Sequence, residues 1–140
     1  MRSGVRCVGV LLVGVLLLSG CAPTVDLVPE FSAPQTPADQ LPASIDHGAI
    51  DESTTRYIDR TSEWDVYIGR TLDKDGEVWE YCLVLISDIE DLTQCSTRLP
   101  VTIDPDGDTT VTLAGPEGPS ESSSLSDSVY LVNEQLFCDV

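Results

Sequence analysis

Cys82-Leu83-Val84-Leu85-Ile86 is the most continuously apolar run downstream of the N-terminal segment, and it limits the fold more than any other stretch. A strand this apolar belongs inside a sheet with both faces covered. Just upstream, Trp64, Val66 and Ile68 alternate with Asp65, Tyr67 and Gly69, a period of two that puts the first set on one face of a strand. Asp73-Lys74-Asp75-Gly76 reads as a turn, with Gly76 free to take positive φ, and residues 77–86 make the return strand of a hairpin. Residues 87–94 carry Asp88, Glu90 and Asp91 and read as a solvated loop. Farther on, residues 101–103 and 109–113 flank Asp104-Pro105-Asp106-Gly107-Asp108, a second hairpin turn. Residues 115–128, rich in glycine, proline and serine, read as a loop, and residues 129–132 as a closing strand. The expected fold is mainly β, an antiparallel sheet of five or six strands with at most one or two short helices.

The first twenty residues have the parts of an export signal: Arg2 and Arg6, an apolar stretch over residues 7–18, then small residues. As a helix that stretch rises only about 18 Å, short of the roughly 30 Å of bilayer hydrocarbon. It ends in Leu18-Ser19-Gly20-Cys21, which resembles the lipobox of bacterial lipoproteins. In that family the cysteine thiol is joined to diacylglycerol and the preceding peptide is cut away. The resemblance implies a thioether on Cys21 and cleavage between Gly20 and Cys21. Cysteine suits the task because its thiolate is a soft nucleophile. Buried acyl carbons contribute about 0.8 kcal/mol per CH₂, so two or more chains hold firmly where one does not. The expected location is the extracytoplasmic face of the cell membrane, lipid-anchored. An ordinary secretory signal or a membrane span is the alternative reading of the same segment.

Charge sets what such a protein can meet. The chain carries 24 acidic and 7 basic residues, a net −17. Arg2 and Arg6 go with the signal while every acidic residue stays, leaving five basic against 24 acidic, a net −19. Such a field repels nucleic acid and anionic head groups and attracts cations, which argues against nucleic-acid partners and flat adsorption on an anionic bilayer. The same cut simplifies the cysteines. Cys7 leaves with the signal and Cys21 is acylated, so Cys82, Cys95 and Cys138 remain in a disulfide-permissive compartment. The favoured pair is Cys82 with Cys95, whose loop closure is worth on the order of 3 kcal/mol in the chain-entropy model. Pairing of either with Cys138 stays open.

Between the signal and the strands, Pro23, Pro29, Pro34, Pro37 and Pro42 lie among isolated apolar residues without a period. The expected division is a signal peptide over 1–20, the lipidated cysteine and a proline-rich tether over 21–50, and one small disulfide-pinned β domain over 51–140. As a coil the tether reaches roughly 30 Å, and as extended polyproline II about 80 Å. A short helix over residues 45–53 packed on the domain is the alternative. No repeat on the scale of about 20–50 residues is evident.

Ser53-Thr54-Thr55-Arg56, Tyr67-Ile68-Gly69-Arg70, Gly76, Cys82-Leu83-Val84 and Cys95, in that order, resemble small secreted or lipid-anchored proteins of actinobacteria with no assigned function. The resemblance covers residues 54–132 and implies a sheet domain with a Cys82–Cys95 disulfide; it implies no activity. The acidic, serine-rich stretch before Val129 departs from that pattern.

Candidate chemistry is thin. His47, the one histidine, has no G-x-S-x-G elbow to serve, a metal site with two histidines is impossible within one chain, and no C-x-x-C occurs. Lys74, the sole lysine, lies in a turn, which argues against serine–lysine or Schiff-base chemistry. The sharper candidate is Ca²⁺ at Asp104, Asp106 and Asp108, echoed by Asp73, Asp75 and Glu77 around Gly76, since Ca²⁺ takes several hard oxygens from a flexible loop. Neither stretch has the EF-hand spacing, and hairpin turns favour the same residues for backbone reasons. Arg56 and Arg70 with Tyr57, Trp64, Tyr67, Trp79 and Tyr81 can line a small pocket or, as such residues in strands more often do, form core and cross-strand pairs. The expectation is a lipid-anchored interaction or structural module, not an enzyme, with no cofactor. Its partners are the membrane through its lipid and an unidentified envelope protein or cationic ligand; a binding module for Ca²⁺, a cationic peptide or a small ligand is the alternative.

Overall fold

The computed structural model describes residues 27–61, 63–115, 118 and 122–133. Within them β1 (Arg56–Arg60), β2 (Asp65–Leu72), β3 (Val78–Ile86) and β4 (Asp91–Ser96) form an antiparallel meander in chain order. The turn between β2 and β3 is built as its sequence implies. The Asp73 carboxylate accepts from the amides of Asp75 (2.8 Å) and Glu77 (3.0 Å), and Gly76 takes φ +80°. Strand β3 lies between two partners, with Ile68 opposite Leu83 on one side and Leu92 opposite Leu85 on the other. Cys82 and Cys95 stand directly opposite each other across β3 and β4 and form the disulfide.

A second sheet follows, made of β5 (Val101–Ile103), β6 (Thr109–Leu113), β7 (Ser123–Ser124) and β8 (Val129–Asn133) in the order β5-β6-β8-β7. The single sheet of five or six strands is therefore corrected to two antiparallel sheets of four. Period-two alternation marks strands but does not say which neighbour each one pairs with. Three strands were missed, β1, β4 and β7. β4 lies where a solvated loop was expected, because it is a polar edge strand in which Leu92 faces the core while Asp91, Thr93 and Gln94 stay exposed; β7 is only two residues long. Helix is limited, among the described residues, to three short 3-10 turns, Pro29–Ser32, Pro37–Asp39 and Glu52–Thr54. None is long and apolar enough to cross a membrane. The expected signal, Gly20, Cys21 and Cys138 lie outside the described residues.

The sheets pack face to face. Trp64 at the mouth of β2, Val66 and Ile68 of β2 and Leu83 and Leu85 of β3 meet Val101, Val111, Leu113 and Val129 of the second sheet, all buried. The alternating set read from the sequence is this inner face. The opposite face of the first sheet is apolar too, with Tyr67, Cys82 and Val84 buried in a separate cluster, so β3 is covered on both sides.

The cover comes from residues 27–50, expected to be a free tether. Val28 and Phe31 are buried in the core between the sheets. Past them the chain follows the outer edge of β1, where the Asp39 carboxylate accepts from the Tyr57 amide at 2.9 Å, so a strand edge that would otherwise be open is protected. It then crosses to the outer face, where Leu41 and Ile50 close the second cluster. Three further polar ties hold it. The Gln35 amide donates to the carbonyls of Glu52 (2.7 Å) and Thr55 (3.2 Å), the Arg56 guanidinium donates to the Ala33 carbonyl (2.8 Å), and Glu30 accepts from the Ser128 amide (2.9 Å) and the Ser126 hydroxyl. We call residues 27–50 the strap; it is packed into the folded unit, which therefore includes residues well before 51.

Gly69 in the middle of β2 seats the strap. A Cβ at this position would stand 2.7 Å from Ile50 Cγ2, closer than carbon atoms pack, so only glycine lets the isoleucine lie on the strand. Gly69→Ala is expected to lower stability by about 1–3 kcal/mol, the usual cost of overpacking, and Ile50→Ala by about 2–5 kcal/mol. Because the two share one contact, the double variant should lose less than the sum of the singles. Urea denaturation of the set measures this, and strict additivity would mean that Ile50 does not rest on Gly69.

Candidate functional site

Two clefts open where the strap folds back on itself. A cleft of about 440 Å³ is lined by Gln35, Gln40, Leu41, Ala43, His47, Glu52, Ser53 and Thr55. A shallower one of about 300 Å³ lies on the other side of the same loop, between Asp46, His47 and Ile50 and the strand residues Thr71, Glu80, Thr93 and Cys95. The local sequence explains the loop: the Asp46 carboxylate accepts from the Gly48 amide (3.0 Å), and Gly48 takes φ +54°, a turn that glycine adopts without steric cost.

His47 stands between the two clefts. Its Nδ1 lies 2.9 Å from the Ile45 carbonyl and its Nε2 is in ion-pair contact with Glu52. The ring bridges the backbone of Ile45 and the side chain of Glu52. The nearby Ser53 hydroxyl donates elsewhere, to Asp51 at 2.5 Å. The serine and the imidazole are thus not joined as nucleophile and base; His47 pins the loop to the turn over residues 52–54.

Most of the aromatic residues singled out from the sequence pack against one another or into the core, Trp79 excepted, and Arg56 ties backbone carbonyls. Tyr57 and Tyr67 meet edge to face at 5.2 Å, a favoured ring geometry. Burial first, and then the Asp65 carboxylate, push both phenols above their ordinary value. Tyr81 packs 6.5 Å from Phe31, and the Arg70 guanidinium lies over the Phe31 ring at 4.3 Å, a cation–π contact. Trp64 is buried whereas Trp79 is 61% exposed. The acidic trios are turn fasteners: Asp104 accepts from the Gly107 amide (2.6 Å) and Asp106 from the amides of Asp108 (3.0 Å) and Thr109 (2.9 Å). Among the described residues no group of three or more His, Cys, Asp or Glu is placed to hold a metal ion.

The residue that sequence reasoning missed is Asp39. It is buried, and its carboxylate accepts from the Thr36 amide (2.6 Å), the Thr36 hydroxyl (3.0 Å) and the Tyr57 amide (2.9 Å). The legible signal was Thr36-Pro37-Ala38-Asp39, the spacing of a capping box at the start of a helical turn. No protein-family model, curated protein or solved structure matches this chain.

Burial by itself pushes the Asp39 carboxyl up, but the hydrogen bonds from Thr36 and Tyr57, together with the charge of Arg56, outweigh it and hold the group below its ordinary 3.8. A folded-state value below the unfolded one adds stability that is complete above the unfolded value and lost as pH falls through the folded one. Asp39→Asn keeps one acceptor oxygen and removes the charge. It is expected to be about 1–3 kcal/mol less stable at neutral pH and to show a flatter loss of stability between about pH 5 and pH 2 than the parent. Denaturant midpoints across that range read the difference; parallel pH profiles would remove Asp39 as the acid-sensitive tie.

Proposed function

We propose that this chain is a lipid-anchored module of the bacterial cell envelope, held at the extracytoplasmic face of the membrane through Cys21, whose role is interaction or structure rather than catalysis. The observation that carries the reading is the apolar stretch over residues 7–18 running directly into Leu18-Ser19-Gly20-Cys21. The likeness to small secreted or lipid-anchored actinobacterial proteins agrees with it. So does a disulfide between Cys82 and Cys95, since such bonds persist in oxidising compartments. A net charge of −19 after loss of the signal, derived from the 24 acidic and 7 basic residues less Arg2 and Arg6, keeps the body in water while hydrocarbon burial supplies the attachment.

A binding role is the second reading, and the cleft beside His47 favours it. Its lining offers amide, hydroxyl and carboxylate groups from Gln40, Ser53 and Glu52 beside the apolar Leu41, which suits a small polar or cationic ligand.

The primary reading is tested at one atom. Mass spectrometry of the mature protein from membranes is expected to find a diacylglyceryl thioether on Cys21 as the first residue, and Cys21→Ser is expected to leave the protein unlipidated and no longer retained in the membrane fraction. An N-terminus without lipid, or membrane retention unchanged in the serine variant, would overturn it.

A further inference from the structure

Among the described residues four strands stand at sheet edges, β1, β4, β5 and β7, and β4 is the one left open. The strap runs along β1 and caps it through Asp39, β5 has three residues behind Pro100, and β7 has two. β4 has six residues with no proline, no lysine and no register shift against β3, so it lacks the usual devices that blunt an edge. Among the described residues its backbone is hydrogen-bonded to β3 alone.

The phase of β4 against β3 is fixed at two places. Cys82 and Cys95 have Cα atoms 4.1 Å apart, the close approach of an antiparallel pair that exchanges no hydrogen bonds. At the other end the Ser87 amide donates to the Glu90 carbonyl at 2.9 Å, a bonded pair one step beyond Ile86 and Asp91. Bonded and unbonded pairs alternate, so both observations turn the amides and carbonyls of Asp91, Thr93 and Cys95 away from β3. The Cys95 carbonyl accepts a long bond from the Gln94 side chain at 3.4 Å.

These three residues also put their side chains on one face of the sheet, the face that the strap crosses. Thr93 and Cys95 line the shallower cleft there together with Asp46 and Glu80. The Asp46 carboxylate accepts from the Gly48 amide at 3.0 Å and Glu80 from the Thr71 hydroxyl at 3.3 Å, bonds that orient the carboxylates and leave their charge in place. His47, the basic group of that lining, is engaged with Glu52. A strand added beside β4 would therefore send alternate side chains to a face carrying Asp91, Asp46 and Glu80.

We propose that the open edge of β4 is a docking site for an extended, basic segment of another protein, which joins the first sheet as a further strand. Its main chain bonds to Asp91, Thr93 and Cys95, as in other cases of strand addition, and lysine or arginine at every second position meets the carboxylates. A second copy of this chain is a poorer occupant, because it brings the same net charge of −17. Neither lipid on Cys21 nor the cleft beside Gln40 enters this inference.

Amide hydrogen exchange of the signal-processed protein, read by NMR, tests it with a short peptide of alternating lysine and valine as the probe. In the free protein the amides of Asp91, Thr93 and Cys95 should exchange faster than those of Leu92, Gln94 and Ser96. With the peptide they should slow by about ten-fold or more, less so at high salt, and a glutamate–valine peptide should leave them unchanged. Thr93→Pro removes one outward amide and spares the bonds to β3, so it should abolish the slowing. Asp91→Lys leaves the main chain intact and should weaken the lysine peptide by roughly five-fold, which keeps the test if the proline variant does not fold. Unchanged exchange at the three amides, or equal slowing by the glutamate peptide, overturns the proposal. Slowing that follows protein concentration without any peptide overturns it as well, by making a second copy the occupant.

Discussion

The first sheet is apolar on both faces, and a second sheet can cover only one of them. That constraint shapes the rest of the molecule. Val66, Ile68, Leu83 and Leu85 are matched by Val101, Val111, Leu113 and Val129, but Tyr67, Cys82 and Val84 point the other way and need another partner. Leaving them wet forfeits about 1.5–3 kcal/mol for each large side chain that could have been buried. The strap supplies the partner with Leu41 and Ile50 and plugs Val28 and Phe31 into the core between the sheets. One segment thus touches both hydrophobic clusters.

Covalent and polar contacts fix this arrangement. The disulfide joins residues that the register already places opposite each other, Cys82 and Cys95, and holds the polar edge strand β4 against β3. At the other edge, Asp39 caps the open amide of Tyr57. Glu30 reaches across to Ser126 and Ser128, nearly a hundred positions later in the chain, tying the strap to the second sheet. Such contacts contribute about 1 kcal/mol each when exchanged for water, yet cost more when one partner is removed and the other stays buried. They fix where the strap lies more than they drive it to bind.

Strands β2 and β3, the turn at Gly76, the hairpin of β5 and β6, the closing strand β8 and the disulfide were legible in the sequence, because each rests on local alternation, local turn chemistry or cysteine spacing. The strap was not. Val28, Phe31, Leu41 and Ile50 recur at no fixed interval and are separated by prolines, so their burial depends on a surface formed by residues far along the chain. Besides the capping-box spacing at Thr36 and Asp39, Gly69 was a local hint, a glycine inside a strand where another segment comes close. Of the cleft, His47 was visible only as a lone histidine, since its partner Glu52 is one of many carboxylates; the aromatic set was visible, and apart from the exposed Trp79 it forms core and cross-strand contacts. A chain this acidic hides a particular ion pair among many possible ones.

The account stands on residues 27–50 being part of the folded unit rather than a spacer before it. Thermal unfolding of residues 21–140 beside residues 51–140, both with the disulfide formed, tests this most directly. The longer chain should unfold cooperatively, while the shorter one, with the outer face of its first sheet bare, should melt far lower or show no cooperative transition. An unchanged melting temperature on removal of the strap would contradict the account.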